Sequence, residues 1–199
     1  NFQTVVVDNA SESAEKDTIT SYINRQIQGG PVFAGPPCIT LLENEKNLGY
    51  AGGNNVGIRY ALEHSADYVF ILNNDTTVES DLIKKLVEVA ESDPKIGIVG
   101  PAIKEGDPST SSGRVGRVAY FGKISWLKTE LSHIYHPKLQ GCPVTTGLPC
   151  SFCSFCLGHK EYVIGAAMLI KKEVLKKIEG FDEIYFLYFE DADLCLRTK

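Results

Sequence analysis

Short apolar runs that stop on small polar residues, each followed by a stretch of helical period, restrict this chain more than any other feature. "TVVVD" breaks at Asp8-Asn9 and gives way to Ile19, Tyr22, Ile23 and Ile27 at helical spacing. "CITLLEN" leads into "NLGYAGGNNVGIRYALEHS", a Gly-rich turn entering a helix with Ile58, Ala61 and Leu62 on one face. "YVFILNND" precedes a helix over 80–92, striped by Leu82, Ile83, Leu86, Val87, Val89 and Ala90 and capped by Ser80 or Asp81. "IGIVG" reads as a fourth strand. Strands apolar on both faces and alternating with helices predict an α/β fold, a mostly parallel sheet flanked by helices. In such sheets ligands sit beyond the carboxyl ends of the strands.

The cadence lapses from about Lys104 to Lys160, where Ser, Gly, Pro and Cys replace any period. That stretch reads as a functional insertion without secondary structure, an acceptor-side lid or a mobile segment, within a single domain over 1–199. Regularity returns with "YVIGAAMLI" as a strand and "KKEVLKKIEG" as a helix closing on Gly180. "FDEIYFLYFEDADLCLR" then reads as an aromatic loop entering a last helix.

Composition removes several functions. A net charge of −5 and a pI near 5.4 exclude a general nucleic-acid binder, so any phosphate ligand must be held locally or through a metal. No apolar run approaches the ~20 residues that span a bilayer, and the N-terminus lacks the basic-then-apolar pattern of a signal peptide. The chain reads as cytoplasmic, with its cysteines as free thiols. Cys150, Cys153, Cys156 and His159 are three apart, with Cys142 nearby, and could hold zinc or an iron–sulfur centre. Three cysteines and a histidine in one run lack the two-knuckle spacing of structural zinc, so free thiols are the favoured reading.

Asp8, Asn47 to Asn55 and Asn73 to Asp75 each follow a strand. Turn chemistry alone accounts for any one of them, but three at equivalent strand ends point to a ligand. A nucleotide diphosphate fits. Asp8 can accept from the imide N–H of a pyrimidine base, and Gly49, Gly52 and Gly53, beside Asn47 and Asn54, let backbone approach a ligand. Asp75 offers a hard oxygen to a divalent ion, Mg²⁺ or Mn²⁺, bridging the phosphates. A Walker loop and GxGxxG are both absent. In "FEDADLCLR", Asp193 and Arg197 are four apart on a helix whose first turn carries Glu190 and Asp191. The preceding "YFLYF" supplies a partly dry surround that can raise a carboxylate towards a working base.

"VVVDNAS", "NLGYAGGNNVGIRYAL", "YVFILNND" and "GAAMLIKKEVLKKIEGFDEIYFLYFEDADLCLR" together resemble the family-2 glycosyltransferases of the GT-A fold. That large inverting group includes rhamnosyltransferase-like enzymes of surface-polysaccharide assembly. The resemblance implies a nucleotide-diphosphate sugar donor and a hydroxyl acceptor on a glycan or lipid-linked carrier. A lipid-linked acceptor would bring a cytoplasmic chain to the inner face of the membrane, as a peripheral protein. By position, Asp8 matches the residue that reads the base, Asn73-Asn74-Asp75 the metal-binding DXD motif, and Asp191, paired with Glu190, the general base. Asp193 and Arg197 would buttress the loop, or Arg197 would touch phosphate. Gly165 matches a small-residue position close to the donor sugar, where tight backbone packing accounts for it equally well.

Family members begin with a strand and helix ahead of "VVVDNAS" and continue beyond the last helix here, so the chain reads as truncated at both ends, its first strand missing. A remnant binding nucleotide sugar or metal without turnover is the alternative reading. A sugar-phosphate nucleotidyltransferase is a more distant one, since that class needs an N-terminal Gly-rich phosphate loop.

Overall fold

The structure, a computed structural model, describes residues 2–29, 39–105, 117–125, 130–135 and 161–198. The Cys150, Cys153, Cys156 and His159 run, with Cys142, lies outside them, as does Cys38. Cys195 is buried.

Two compact units divide the chain. The first comprises Asn1–Ala66 with Phe181–Tyr188. Its strands β1 (Thr4–Asp8) and β2 (Ile39–Glu43) pair in parallel, Thr4 opposite Ile39 and Asp8 opposite Glu43, with α1 (Ser13–Gly29) between them in sequence. Helix α2 (Gly49–Glu63) lies on β1, where Gly57 brings it close: a methyl there would stand 3.2 Å from Val7 Cγ2. Ala51 and Ile58 of α2 are buried.

The second unit comprises Asp67–Gly180 with Phe189–Lys199. It holds β3 (Tyr68–Leu72), α3 (Leu82–Ser92), β4 (Ile98–Val99), β5 (Ile103–Glu105), β6 (Arg117–Ser125), β7 (Glu130–Tyr135), β8 (Glu161–Tyr162), β9 (Ala167–Lys171), α4 (Lys172–Ile178) and α5 (Glu190–Arg197). The stripe on α3 does what its period predicts. Leu86, Val89 and Ala90 close a core with Ile96, Val99 and Leu169, and Met168 and Ile170 of β9 are fully buried. Asp81 takes the cap position of α3 without a side-chain cap bond, its carboxylate instead meeting Lys85 at 2.8 Å. Helix α4 ends on two left-handed residues, Glu179 (φ 62°) and Gly180 (φ 85°).

The α/β layout is the one expected, and three features differ from the sequence reading. Among the described residues β1–β2 is the parallel ladder, whereas β9 lies between β3 and β4 and runs antiparallel to both. An apolar run specifies burial but not direction, and β9 enters after the long 100–166 excursion. Secondly, "YVIGAAMLI" is two strands, β8 and β9, parted by a turn at Gly165-Ala166. Thirdly, the stretch read as a structureless insertion contains antiparallel β5, β6 and β7, with β8 also pairing to β6. Gly122 of β6 weakens the strand signal yet is required: a methyl there would overlap the buried Tyr162 ring. No helix of the described residues is long and apolar enough to cross a membrane.

Candidate functional site

In the first unit, the end of β1 and the loop before α2 are tied together by Asn9, which sequence reasoning missed. Its Nδ2 donates to Asn47 Oδ1 (3.0 Å) and to the Gly49 carbonyl (2.9 Å). Its Oδ1 accepts from Asn44 Nδ2 and from Leu48 N–H, both at 3.0 Å. Asn47 Oδ1 also takes the Gly49 N–H at 2.8 Å, so Asn47 shapes the turn into α2. The only sequence signal for Asn9 was a second polar residue at the end of a strand.

Asp8 is 4% exposed. Its Oδ1 accepts from Ser11 N–H at 3.2 Å, and Lys16 Nζ stands 3.5 Å from Oδ2. The hydrogen bond from Ser11, helped by the Lys16 charge and opposed by burial, holds the carboxyl below its ordinary value. Oδ2 is buried and has no hydrogen-bond partner, with the Lys16 ammonium as its ion-pair neighbour.

At the α2 glycines the space that a methyl would take is held by the protein itself. A methyl at Gly49 (φ 72°) would overlap the Phe186 carbonyl oxygen and stand 2.6 Å from its ring. One at Gly52 would meet Leu48 Cβ at 2.8 Å, and one at Gly53 the Asn9 amide at 3.1 Å. Asn54 donates to the Tyr50 carbonyl one turn back at 2.9 Å. Its neighbour Asn55, 5% exposed, clamps the 181–188 loop. Asn55 Nδ2 donates to Phe181 O (2.9 Å) and Glu183 Oε1 (3.0 Å), while Phe181 N–H donates to Asn55 Oδ1 (2.9 Å).

In the second unit, the Gly165-Ala166 turn joins two motifs far apart in sequence. Ala166 O accepts from Asn73 N–H at 3.0 Å, and Gly165 N–H donates to Asp191 Oδ2 at 2.9 Å. The strand end that opens Asn73-Asn74-Asp75 and the carboxylate heading α5 are thus fixed to adjacent residues. Thr76 returns its hydroxyl (2.6 Å) and N–H (3.3 Å) to Asn73 O, closing the turn that leaves Asn74 and Asp75 exposed. A single exposed carboxylate suits a divalent ion that takes most of its ligands from substrate phosphates and water. No cluster of three His, Cys, Asp or Glu side chains that could cage a metal occurs among the described residues.

Asp191 accepts at both oxygens, from Gly165 N–H and, at 2.7 Å, from Ala192 N–H, the arrangement that suits an anion. Glu190 is 6% exposed, and burial, reinforced by the Asp191 charge, raises it above the ordinary glutamate value. Most of the "YFLYF" side chains face outward: Tyr188 is 69% exposed, Phe186, Leu187 and Phe189 are exposed as well, and Tyr185 is half-buried. Tyr188 (φ 70°) and Phe189 (φ 71°) are both left-handed, a strained route into α5 for aromatic residues.

Arg197 stands in the last turn of α5. Its Nε donates to Asp193 Oδ2 (2.7 Å), Nη1 to Ile178 O (2.8 Å) and Nη2 to Gly180 O (2.9 Å), binding α5 to the end of α4. Arg197→Lys is therefore expected to lower stability by about 2 kcal/mol, since one ammonium cannot span three acceptors, while leaving nucleotide affinity unchanged. Denaturant unfolding beside a nucleotide titration checks both halves.

The profile of "Glycosyl transferase family 2" matches residues 1–165, and the chain belongs to that family. The Haloferax volcanii protein described as low-salt glycan biosynthesis hexosyltransferase Agl10 is 27% identical over 81% of this chain and 46% of its own length. The Mycobacterium tuberculosis N-acetylglucosaminyl-diphospho-decaprenol L-rhamnosyltransferase is 26% identical over 79% of this chain and 52% of its own. The Shigella flexneri dTDP-rhamnosyl transferase RfbF is 23% identical over 99% and 54%. The chain thus spans about half the length of these relatives. Among solved structures, that of GalNAc-T7 with UDP, GalNAc and Mn²⁺ superposes with a TM-score of 0.62 at 13% identity, covering 98% of this chain and 34% of that one, which establishes the shared fold.

Proposed function

We propose that this chain moves a hexosyl or rhamnosyl group from a nucleotide-diphosphate sugar to a hydroxyl of a glycan or lipid-linked acceptor, with inversion at the anomeric carbon. The observation that carries the reading is the Gly165-Ala166 turn, which fixes Asn73 on one residue and Asp191 on the next. Family membership and the names of the relatives support the class of donor and acceptor.

In this reading Asp191 takes the proton of the acceptor hydroxyl, whose oxygen bonds the anomeric carbon as the bond to the diphosphate breaks, and the nucleoside diphosphate leaves with the electron pair. The two backbone N–H groups on Asp191 aim its carboxylate and keep it from turning away. Asp75 would hold Mg²⁺ or Mn²⁺, which when bound offsets charge on the departing diphosphate. The β1 end, through Asp8 and the Asn9–Asn47 bonds, would take the base. A lipid-linked acceptor would bring the chain to the inner face of the membrane.

Calorimetric titration of UDP, dTDP and GDP, with Mn²⁺ and then with EDTA, tests the donor half. One nucleotide is expected to bind only with the metal, and Asp75→Ala is expected to weaken it at least about tenfold, the effect of roughly 1.4 kcal/mol. Equal affinity of the variant with and without Mn²⁺ removes Asp75 from the metal.

A further inference from the structure

The first turn of α5 carries a carboxyl that the proposed transfer does not use. Glu190 is 6% exposed and its Oε2 has no hydrogen-bond partner, while the adjacent Asp191 is bonded at both oxygens. Among the described residues the charge that acts on Glu190 is that of Asp191, which adds to burial in raising it, against its own backbone N–H, which lowers it; Glu190 acts in turn on the buried Tyr162 of β8, pushed up by burial and then by Asp191, Cys195 and Glu190. None of these is a cation. The basic residue of the helix, Arg197, is bonded to Asp193 and two carbonyls, and no salt bridge among the described residues reaches Glu190.

A buried carboxylate ion with an unbonded oxygen and no counter-charge costs several kcal/mol, whereas the neutral acid costs far less. We propose that Glu190 is the proton-holding member of the pair, a neutral acid beside an ionised Asp191. Glu190 is then a positioning residue. Two ionised neighbours would repel and raise the proton affinity of Asp191; a neutral Glu190 keeps Asp191 free to accept a proton. That consequence rests on Asp191 being the base, but the protonation of Glu190 does not.

The test needs neither donor nor turnover. An acid raised in the folded state contributes stability that is present below its ordinary value of 4.5 and lost as pH rises through its folded value. Glu190→Gln has nearly the same shape and is neutral throughout. Thermal and urea unfolding of this chain and of the variant, from pH 4 to pH 8, should therefore diverge. Above pH 4.5 the unfolding constant of the parent should climb over that of the variant by up to about tenfold per pH unit, then level off. Parallel curves across the range overturn the proposal. If the variant fails to fold, a carbon-13 titration of the Glu190 carboxyl in the parent decides: a midpoint well above 4.5 supports it, and one at 4.5 overturns it. A negative result here leaves sugar transfer standing, while undiminished transfer in Asp191→Asn would remove the base and leave the Glu190 proton in place.

Discussion

Asp191→Asn is expected to cut sugar transfer by about 10²–10⁴-fold, the usual contribution of a positioned general base, and to leave nucleotide binding unchanged. An amide cannot take the acceptor proton. It also turns one of its ends into a donor, so either Gly165 N–H or Ala192 N–H, now bonded to the carboxylate at 2.9 and 2.7 Å, would face an NH₂ group. The loss should fall on kcat, with KM for the donor little moved, because the missing interaction belongs to the transition state. Transfer from a labelled donor at saturating acceptor, beside calorimetry of the nucleotide, separates the two effects. Full activity in the variant would place the base elsewhere, and loss of nucleotide binding would mean that the substitution has disturbed the Gly165-Ala166 turn.

The elements that sequence reasoning read well are those whose side chains report burial directly. The period of α3 and the apolar runs of β1, β2 and β3 appear in the structure because each buries what its pattern presents. The spacing of Asp193 and Arg197 was equally plain, and the pair meets at 2.7 Å. Glycines are ambiguous in sequence for a physical reason. A notch left by a missing Cβ has the same sequence whether a phosphate or a phenyl ring fills it, and Gly49 and Gly53 are filled by Phe186 and Asn9. The β6–β7 pairing was hidden by Gly122, whose lack of a side chain lowers strand propensity while admitting Tyr162. Asn9 and Asn55 were hidden because a hub amide and a surface amide are the same letter; burial and partners distinguish them.

Asn55→Ala is expected to remove roughly 3–5 kcal/mol of stability, a large effect for a small polar side chain. The variant strands buried partners: the Phe181 N–H and carbonyl both lose their bond to Asn55, and Glu183 loses one of its contacts. Each buried group left unpaired costs about 1–3 kcal/mol, whereas a lone hydrogen bond between exposed groups would be worth about 1. Urea unfolding should show the loss as a lower midpoint, and thermal unfolding as a fall of about 10 °C for a chain of this size. Asn55→Asp discriminates the cause. It keeps the acceptor for Phe181 N–H but turns a second acceptor towards the Phe181 carbonyl and the Glu183 carboxylate, so at neutral pH it should be at least as destabilised as the alanine variant. Acidification should restore part of its stability, because a protonated Asp regains a donor and loses the repulsion. A pH-independent aspartate variant, or an alanine variant as stable as the parent, would mean that the 181–188 loop is held by the seat of Phe186 against Gly49 rather than by the Asn55 clamp.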